Sequence, residues 1–456
     1  MKEIKLSEIF GLFGQRPPFE GTVREISTDT RTIREGSLFV PVKGERFDGH
    51  KFIEAAFEKG AAAALCEESE AETVPEGLRD RIVVTGDTLD AMLKIAAWYR
   101  SSLSLPITAV TGSNGKTTTK DMLVHLLSGR FRTAGTKANF NNEIGVPATI
   151  FSFDDETERA VVEMGMRGAG QIRRLARAVR PSSSIITMIG EAHFELLGSR
   201  RAIAEAKSEI NELLPEDGFA VMNGDDEFAD FIRERCPART LFFGRSDRCD
   251  MRLLSCRPCG GGSLAMLSYG GETAEAFVPL AGAHNVSNAM AAALSAVESG
   301  VPFAEAAERL GSVEITGGRT EVIRAGGRTI VNDCYNSSPS SLSAALDAFS
   351  GMGGPRVAII GDMLELGEIS GKAHYESGVK AAKSGIDLLL TAGEEARKVR
   401  DGAIDSGMPP ERCVHFGSPD DFPDYAGLIP EECSILVKAS HSMRFEKITE
   451  YLKSSK

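Results

Sequence analysis

The chain has 456 residues, 52 Lys and Arg against 65 Asp and Glu, and a formal net charge of −13. With no basic block, that balance argues against a nucleic-acid binder or a polybasic membrane-surface protein. A few local cations or a helix N-terminus can still hold an anionic small molecule. At about 150 residues per domain the length points to roughly three domains. Hydrophobic residues at 42% and charged residues at 26% are globular composition and exclude a disordered chain.

The start, Met1-Lys2-Glu3-Ile4-Lys5-Leu6, is charged and lacks the apolar run of a signal peptide, and no stretch is apolar enough for a membrane span. Eight cysteines are too sparse for a disulfide scaffold, so reduced thiols and a cytoplasmic location are expected. Cys256-Arg257-Pro258-Cys259 has no close second pair, so free thiols are expected there in preference to zinc.

In chain order, the first hundred residues read as a small α/β unit. Strand-like runs are Leu38 to Val42, Ala62 to Leu65 and Ile82 to Val84, with helical spacing at Phe52 to Lys59 and Leu89 to Tyr99. Leu105-Pro106 marks a boundary. Strand-like runs then follow at Ile107 to Val110, Ala160 to Glu163, Ile185 to Ile189 and Phe219 to Met222. Helices are expected at Lys116 to Leu127, Gln171 to Val179 and Arg201 to Leu214. That alternation predicts a parallel sheet covered on both faces. The Gly-rich patch Cys259 to Ser263 reads as added hairpins, and Ala289 to Val297 as an Ala-rich helix. Beyond Gly317-Gly318-Arg319, runs at Thr329 to Val331, Val357 to Ile360, Leu388 to Leu390 and Ile435 to Val437 predict a third α/β unit, closed by a helix from Ser442 to Leu452.

The strongest chemical signal is Thr111-Gly112-Ser113-Asn114-Gly115-Lys116-Thr117-Thr118, where an apolar strand enters a Gly-rich turn and a Lys-Thr pair opens a helix. Glycines let the backbone curl so that its N–H groups face phosphate oxygens, and the helix N-terminus adds partial positive charge. Lys116 would reach the β- and γ-phosphates, and the Thr117 hydroxyl would ligate Mg²⁺. The usual pattern has a further Gly, and Val110 stands there instead. Glu163, ending its run, falls where parallel sheets gather ligands and is a natural Mg²⁺ ligand. His193 follows the neighbouring run; the residues alone leave it open between a ligand and a loop histidine.

These segments occur in order with Lys137-Ala138-Asn139-Phe140-Asn141-Asn142-Glu143-Ile144-Gly145-Val146-Pro147, Glu163-Met164-Gly165, Gly198-Ser199, Ala206-Lys207-Ser208, Gly282-Ala283-His284-Asn285-Val286-Ser287-Asn288, Gly318-Arg319, Asp333-Cys334-Tyr335-Asn336 and Gly361-Asp362-Met363-Leu364-Glu365-Leu366-Gly367. Together they resemble the Mur ligases, ATP-dependent amide-forming enzymes of peptidoglycan precursor assembly, over essentially the whole chain. The last two pieces and Val42 to His50 resemble most the members that add D-alanyl-D-alanine, and the Asp-Asn-Pro-Arg signature of the diaminopimelate-adding members is absent.

The resemblance implies an α/β fold of three domains. These are a UDP-binding α/β domain over 1–104, a central P-loop parallel-sheet ATPase domain over 105–314, and a Rossmann-like domain over 315–456. It implies ATP with two Mg²⁺ sites, ligated by Thr117, Glu163, His193 and a carbamylated Lys207; Lys116, Lys207, His193 and Glu163 would be catalytic. Asn285 and Asn288 would lie near adenine, Arg319 near the phosphates and Asp333 on the ribose. Ser27, Thr28, Arg31, Lys43 and Gly44 would hold the UDP end of UDP-N-acetylmuramoyl-tripeptide, with Asn139 and Asn336 also on substrate. D-alanyl-D-alanine would be the second substrate, and a monomer is expected. Two positions depart from the family: Ser338 stands for a usual Asn, and Lys438-Ala439-Ser440-His441 for a usual Lys-Gly-Ser-Arg. A relative adding another amino acid to a muramoyl or folyl acceptor, or a nucleotide-dependent module without ligation, are the alternatives.

Overall fold

The computed structural model describes residues 1–44, 47–314 and 321–454. Among them three larger sheets, of four, nine and six strands, organise the chain, with a two-stranded ribbon near the start.

The first sheet is parallel throughout, in the order Glu25–Ser27, Ser37–Phe39, Ala63–Glu67 and Ile82–Thr85. The expected run at Leu38 to Val42 is shorter as a strand, because Val40 turns its N–H back to the Ser27 carbonyl ahead of Pro41. The Thr88–Ser101 helix follows, opened by the Asp87 carboxylate accepting the Asp90 N–H at 2.7 Å. Its far end joins this unit to the next. The Tyr99 hydroxyl donates to the Phe153 carbonyl at 2.6 Å, and the buried Arg100 guanidinium donates to the carbonyls of Val179, Leu103 and Leu105 at 2.6–2.9 Å. One apolar cluster runs unbroken from Ile9, Met92 and Ile95 to Val162, Ile172 and Ile186. The first two sheets therefore share a core.

The nine-stranded sheet runs Glu272–Val278, Gly262–Tyr269, Met251–Cys259, Arg239–Gly244, Phe219–Asn223, Ser183–Ile186, Ile107–Thr111, Arg159–Glu163 and Thr133–Gly135. It is parallel from Thr133–Gly135 to Met251–Cys259, and the first two strands are the expected hairpins. The helices Lys116–Leu127 and Gln171–Val179 stand as the periodicity predicts. The Ala-rich helix is longer, Ala283–Glu298, and is almost wholly buried against Lys116–Leu127.

Two further elements of this part of the chain end elsewhere than expected. The strand read at Ile185 to Ile189 is Ser183–Ile186, because beyond it the chain leaves the sheet to wrap the phosphate loop: the Met188 carbonyl accepts from Ser113 N at 2.9 Å. The helix read at Arg201 to Leu214 is Arg200–Ser208 followed by a tight turn, Glu209–Asn211. There the buried Glu209 carboxylate accepts from Gly170 N and Arg173 N, and Asn211 Oδ1 accepts from the Ser184 hydroxyl, so side-chain bonds replace the helical pattern.

The third sheet has the order Glu321–Ala325, Arg328–Asn332, Ser434–Lys438, Arg356–Gly361, Leu388–Ala392 and Cys413–Phe416, parallel except for its first pair. The closing helix begins at Glu446 in place of Ser442, since Arg444 takes a left-handed conformation at φ +57°. All eight cysteines are free, and no helix among the described residues is long and apolar enough to cross a membrane.

Candidate active site

The strands Ile107–Thr111, Arg159–Glu163 and Ser183–Ile186 are neighbours, paired as Val110 with Glu163 and Thr111 with Ile186. Their carboxyl ends therefore release the phosphate loop, Glu163 and the segment leading to His193 side by side, the location where open α/β sheets collect ligands. Two glycines make the loop possible. Gly112 has φ +150° and a Cβ there would lie 1.8 Å from Thr187 Oγ1; Gly115 has φ +82° and its Cβ would lie 2.2 Å from Asn288 Oδ1. Any side chain would displace the loop from the elements that brace it.

Thr117, on the first turn of the helix opened by Lys116, donates its hydroxyl to Glu163 Oε2 at 2.7 Å; the other oxygen, Oε1, accepts from Asn141 Nδ2 at 2.7 Å. Glu163 has no access to water, and its N–H donates to the Thr136 hydroxyl at 3.0 Å. Lys116 Nζ lies 2.9 Å from the Gly112 carbonyl, and Lys207 Nζ lies 3.0 Å from the same oxygen. Two lysines thus converge on one carbonyl. Lys207 is 1% exposed, and burial, reinforced by the Lys116 charge, pushes its amine well below the ordinary lysine value of 10.5.

His193 has φ +65°, and its Nδ1 lies 2.6 Å from Glu365 Oε2, a residue of the third sheet's loops. Burial lowers the His193 imidazole from its ordinary value; Glu365 opposes this, while Lys207 and Lys116 reinforce it. With Nδ1 engaged, Nε2 remains for a ligand. Asn114 of the phosphate loop also reaches the third sheet, with Nδ2 3.1 Å from the Ser338 hydroxyl and 3.0 Å from that of Ser340.

The other expected residues fall into separate groups. Asn288 Nδ2 donates to Asn285 Oδ1 at 3.4 Å, both buried behind Gly115. Asp333 is paired with the buried Lys438 at 2.6 Å, and the same ammonium donates to the Asn336 carbonyl at 3.0 Å. In the first sheet, Arg31 lies on Asp29 at 2.7–3.0 Å and holds that carboxyl down at about 2, while the Ser27 hydroxyl is 3.0 Å from that of Thr32. Thr28 is half-buried, and Lys43 is exposed between Glu67 and Glu70. Gly44 and Asn139 are exposed. Arg319 lies outside the described residues.

Sequence reasoning assigned no role to Asn141, Thr136, Glu365 or Ser340. All four show only once strands and loops are placed, although Asn141 sits in an amide-rich run and Glu365 in a quoted motif. Among the described residues no three His, Cys, Asp or Glu side chains stand together as a metal cage. The Thr117 and Glu163 oxygens suit Mg²⁺ all the same, because that ion takes few protein oxygens and completes its shell with phosphate and water.

Family models match nearly the whole chain: "Mur ligase family, catalytic domain" over 22–99, "Mur ligase middle domain" over 110–296 and "Mur ligase, glutamate ligase domain" over 318–441. The chain belongs to the Mur ligase family. A UDP-N-acetylmuramoyl-tripeptide–D-alanyl-D-alanine ligase of Bacillus subtilis is 37% identical over 444 residues, 96% of this chain and 94% of its own. The Escherichia coli protein of the same name is 31% identical over 464 residues, covering 100% and 99%. Among solved structures, a MurF of Acinetobacter baumannii superposes with a TM-score of 0.91 at 28% identity over the full length of both chains. MurF ligase of Thermotoga maritima in complex with ADP gives 0.82 at 29%, covering 94% of this chain and 97% of that one. The three-sheet α/β fold and the ligase class implied by the resemblance are those of the Mur ligase family.

Proposed function

We propose that the chain joins D-alanyl-D-alanine to UDP-N-acetylmuramoyl-tripeptide, with ATP converted to ADP and phosphate through an acyl phosphate. The observation that carries this reading is the convergence of Lys116 and Lys207 on the Gly112 carbonyl beside the buried Thr117–Glu163 pair. The relatives' names over the full chain length support the choice of substrates.

In this reading the peptide's terminal carboxylate attacks the γ-phosphorus, ADP leaves, the dipeptide amine adds to the activated carbonyl, and phosphate departs. Phosphoryl transfer needs charge neutralisation and alignment more than covalent help. The loop N–H groups and Lys116 hold the phosphates, and Thr117 and Glu163, with His193 through Nε2, would hold magnesium. Bound magnesium would neutralise charge on the transferring phosphoryl group.

Lys207 belongs to the same set as a carbamate. Burial and the Lys116 charge push its amine well below the ordinary lysine value, which favours the neutral form whose lone pair can form an N–C bond to CO₂ with loss of one proton. The product is an anion on a long stem, suited to a second magnesium, where an ammonium would be repelled. Asn285 and Asn288 behind the loop take the adenine, Arg319 the phosphates, and Asp333 with Asn336 the ribose and substrate. Ser27, Thr28, Arg31, Lys43 and Gly44 take the uridine diphosphate, and Asn139 lies along the acceptor. The domains are 1–104, 105–314 and 315–456, and the enzyme works as a cytoplasmic monomer.

The test is ADP release with the UDP-linked tripeptide across a panel of amines, with products weighed by mass spectrometry. Amide formation with D-alanyl-D-alanine and none with single amino acids supports the reading. Amide formation with another amine, or ATP hydrolysis without any amide, refutes it.

A further inference from the structure

Asn114 of the phosphate loop reaches across to the third sheet's domain. Its backbone carbonyl accepts from the Thr187 hydroxyl at 2.5 Å, which ties it to the central domain. Its side-chain amide faces the other way, with Nδ2 3.1 Å from Ser338 Oγ and 3.0 Å from Ser340 Oγ, and the Ser338 hydroxyl is 3.3 Å from Oδ1. Ser338 and Ser340 sit at the start of the eleven-residue helix Pro339–Phe349, where Ser338 is the N-cap and also accepts from Ser341 N at 3.3 Å. Ser340 is pressed against a second part of the site: its Oγ would be 2.9 Å from a Cβ at Gly190, whose N–H donates to the Ser113 hydroxyl at 2.9 Å. The two serines therefore touch the phosphate loop and the segment leading to His193 at once. Neither serine has a role in the reading above.

We propose that Ser338 and Ser340 are positioning residues that lock the C-terminal domain onto the phosphate loop through the side chain of Asn114. The loop is then set for phosphoryl transfer only while that domain is docked. Hydroxyls suit the task, since each both donates and accepts and makes bonds that form and break with domain movement at small net cost. The lock ties ATP chemistry to the arrival of the domain that must cover the acyl phosphate against water.

The kinetic arm of the test rests on the ligase reading; the structural arm does not. The variant is Ser338→Gly with Ser340→Ala, because Gly keeps most of an N-cap's stability while removing the hydroxyl. Ser340→Ala alone is the second variant should the pair fold poorly, and Ser338→Asn is the conservative one, being a good cap with a polar side chain toward Asn114. Small-angle scattering of the full chain with ATP and Mg²⁺ should show the wild type compact and the double variant shifted to extended arrangements, at unchanged ATP affinity and circular dichroism. Amide formation should fall about tenfold or more in kcat with KM for ATP within about twofold, a split that a general loss of stability does not produce. Ser338→Asn should recover most of both. In an Asn114→Ala background the serine changes should add nothing further. Scattering and kcat equal to wild type in both serine variants, or full additivity with Asn114→Ala, overturns the lock. A wild-type chain that compacts on ATP but forms no amide overturns the ligase reading and leaves the lock standing.

Discussion

Lys207 Nζ lies 3.0 Å from the carbonyl oxygen of Gly112, in a position with essentially no access to water. A single neutral acceptor does not offset the burial of an ammonium, so burial, with the Lys116 charge, lowers the amine well below the ordinary lysine value and favours its neutral form. That is the state that reacts with CO₂. Lys207→Ala should therefore lower kcat by roughly 10²–10³ or more, the scale for losing one electrostatic stabiliser of a transition state. Bicarbonate or a short carboxylate at high concentration should restore part of it. Lys116→Ala should be equally inactive and show no such rescue. A carbamate carbonyl signal from isotopically labelled bicarbonate should be present in the wild type and missing from Lys207→Ala.

The same burial sets a pH dependence of stability. A lysine whose folded pKa is depressed binds fewer protons folded than unfolded, so stability rises with pH from that depressed value up to about 10.5. The slope approaches about 1.4 kcal/mol per pH unit in that window. In CO₂-free buffer Lys207→Met should raise the melting temperature at neutral pH, and the gain should shrink as pH approaches 10.5. A gain independent of pH would mean that the amine is charged in the folded state.

Glu163 accepts from Thr117 and Asn141 with its two oxygens, so Glu163→Gln removes the negative charge and one of the two acceptor oxygens at this position. ATP turnover should fall by roughly 10²-fold or more. Asn141→Ala should be milder, by about tenfold, since it removes only the group that orients the carboxylate. Steady-state kinetics at varied Mg²⁺ checks both, with the metal requirement shifted upward in each.

How much of this was readable beforehand differs by residue. The Lys116–Leu127 helix and the Ile107–Thr111 strand follow from apolar periodicity and the Gly-Lys-Thr signature, which are local. Glu163 was findable because strand ends in parallel sheets mark sites. Glu365 and Ser340 were not, since their importance arises from contacts with His193 and Asn114 across more than 170 residues of chain, which no local pattern encodes. The run at Ile185 to Ile189 misled for a related reason: apolar residues continue past the strand, but the loop's own hydrogen bonds pull the chain away. Lys207 reads as an ordinary helix lysine until the helix is packed.

Arg100 donates to four backbone carbonyls, of Val179, Leu103, Leu105 and Arg180, at the joint between the first two domains. Arg100→Ala leaves buried acceptors unpaired, at about 1–3 kcal/mol for each that water does not reach. A loss of about 3 kcal/mol in chemical denaturation is expected. Arg100→Lys should recover only part, because an ammonium lacks the planar fork. Full stability in Arg100→Ala would show that the joint depends on apolar contact alone.

The central claim is that this loop hands the terminal phosphoryl group of ATP to a carboxylate. Its most direct measurement uses acceptor peptide carrying heavy oxygen in its terminal carboxylate, with ATP, Mg²⁺ and D-alanyl-D-alanine, and weighs the released phosphate. The account predicts that each phosphate formed with an amide bond carries one heavy oxygen from the acceptor. Phosphate that carries only the oxygens of ATP and water, alongside amide product, would contradict it.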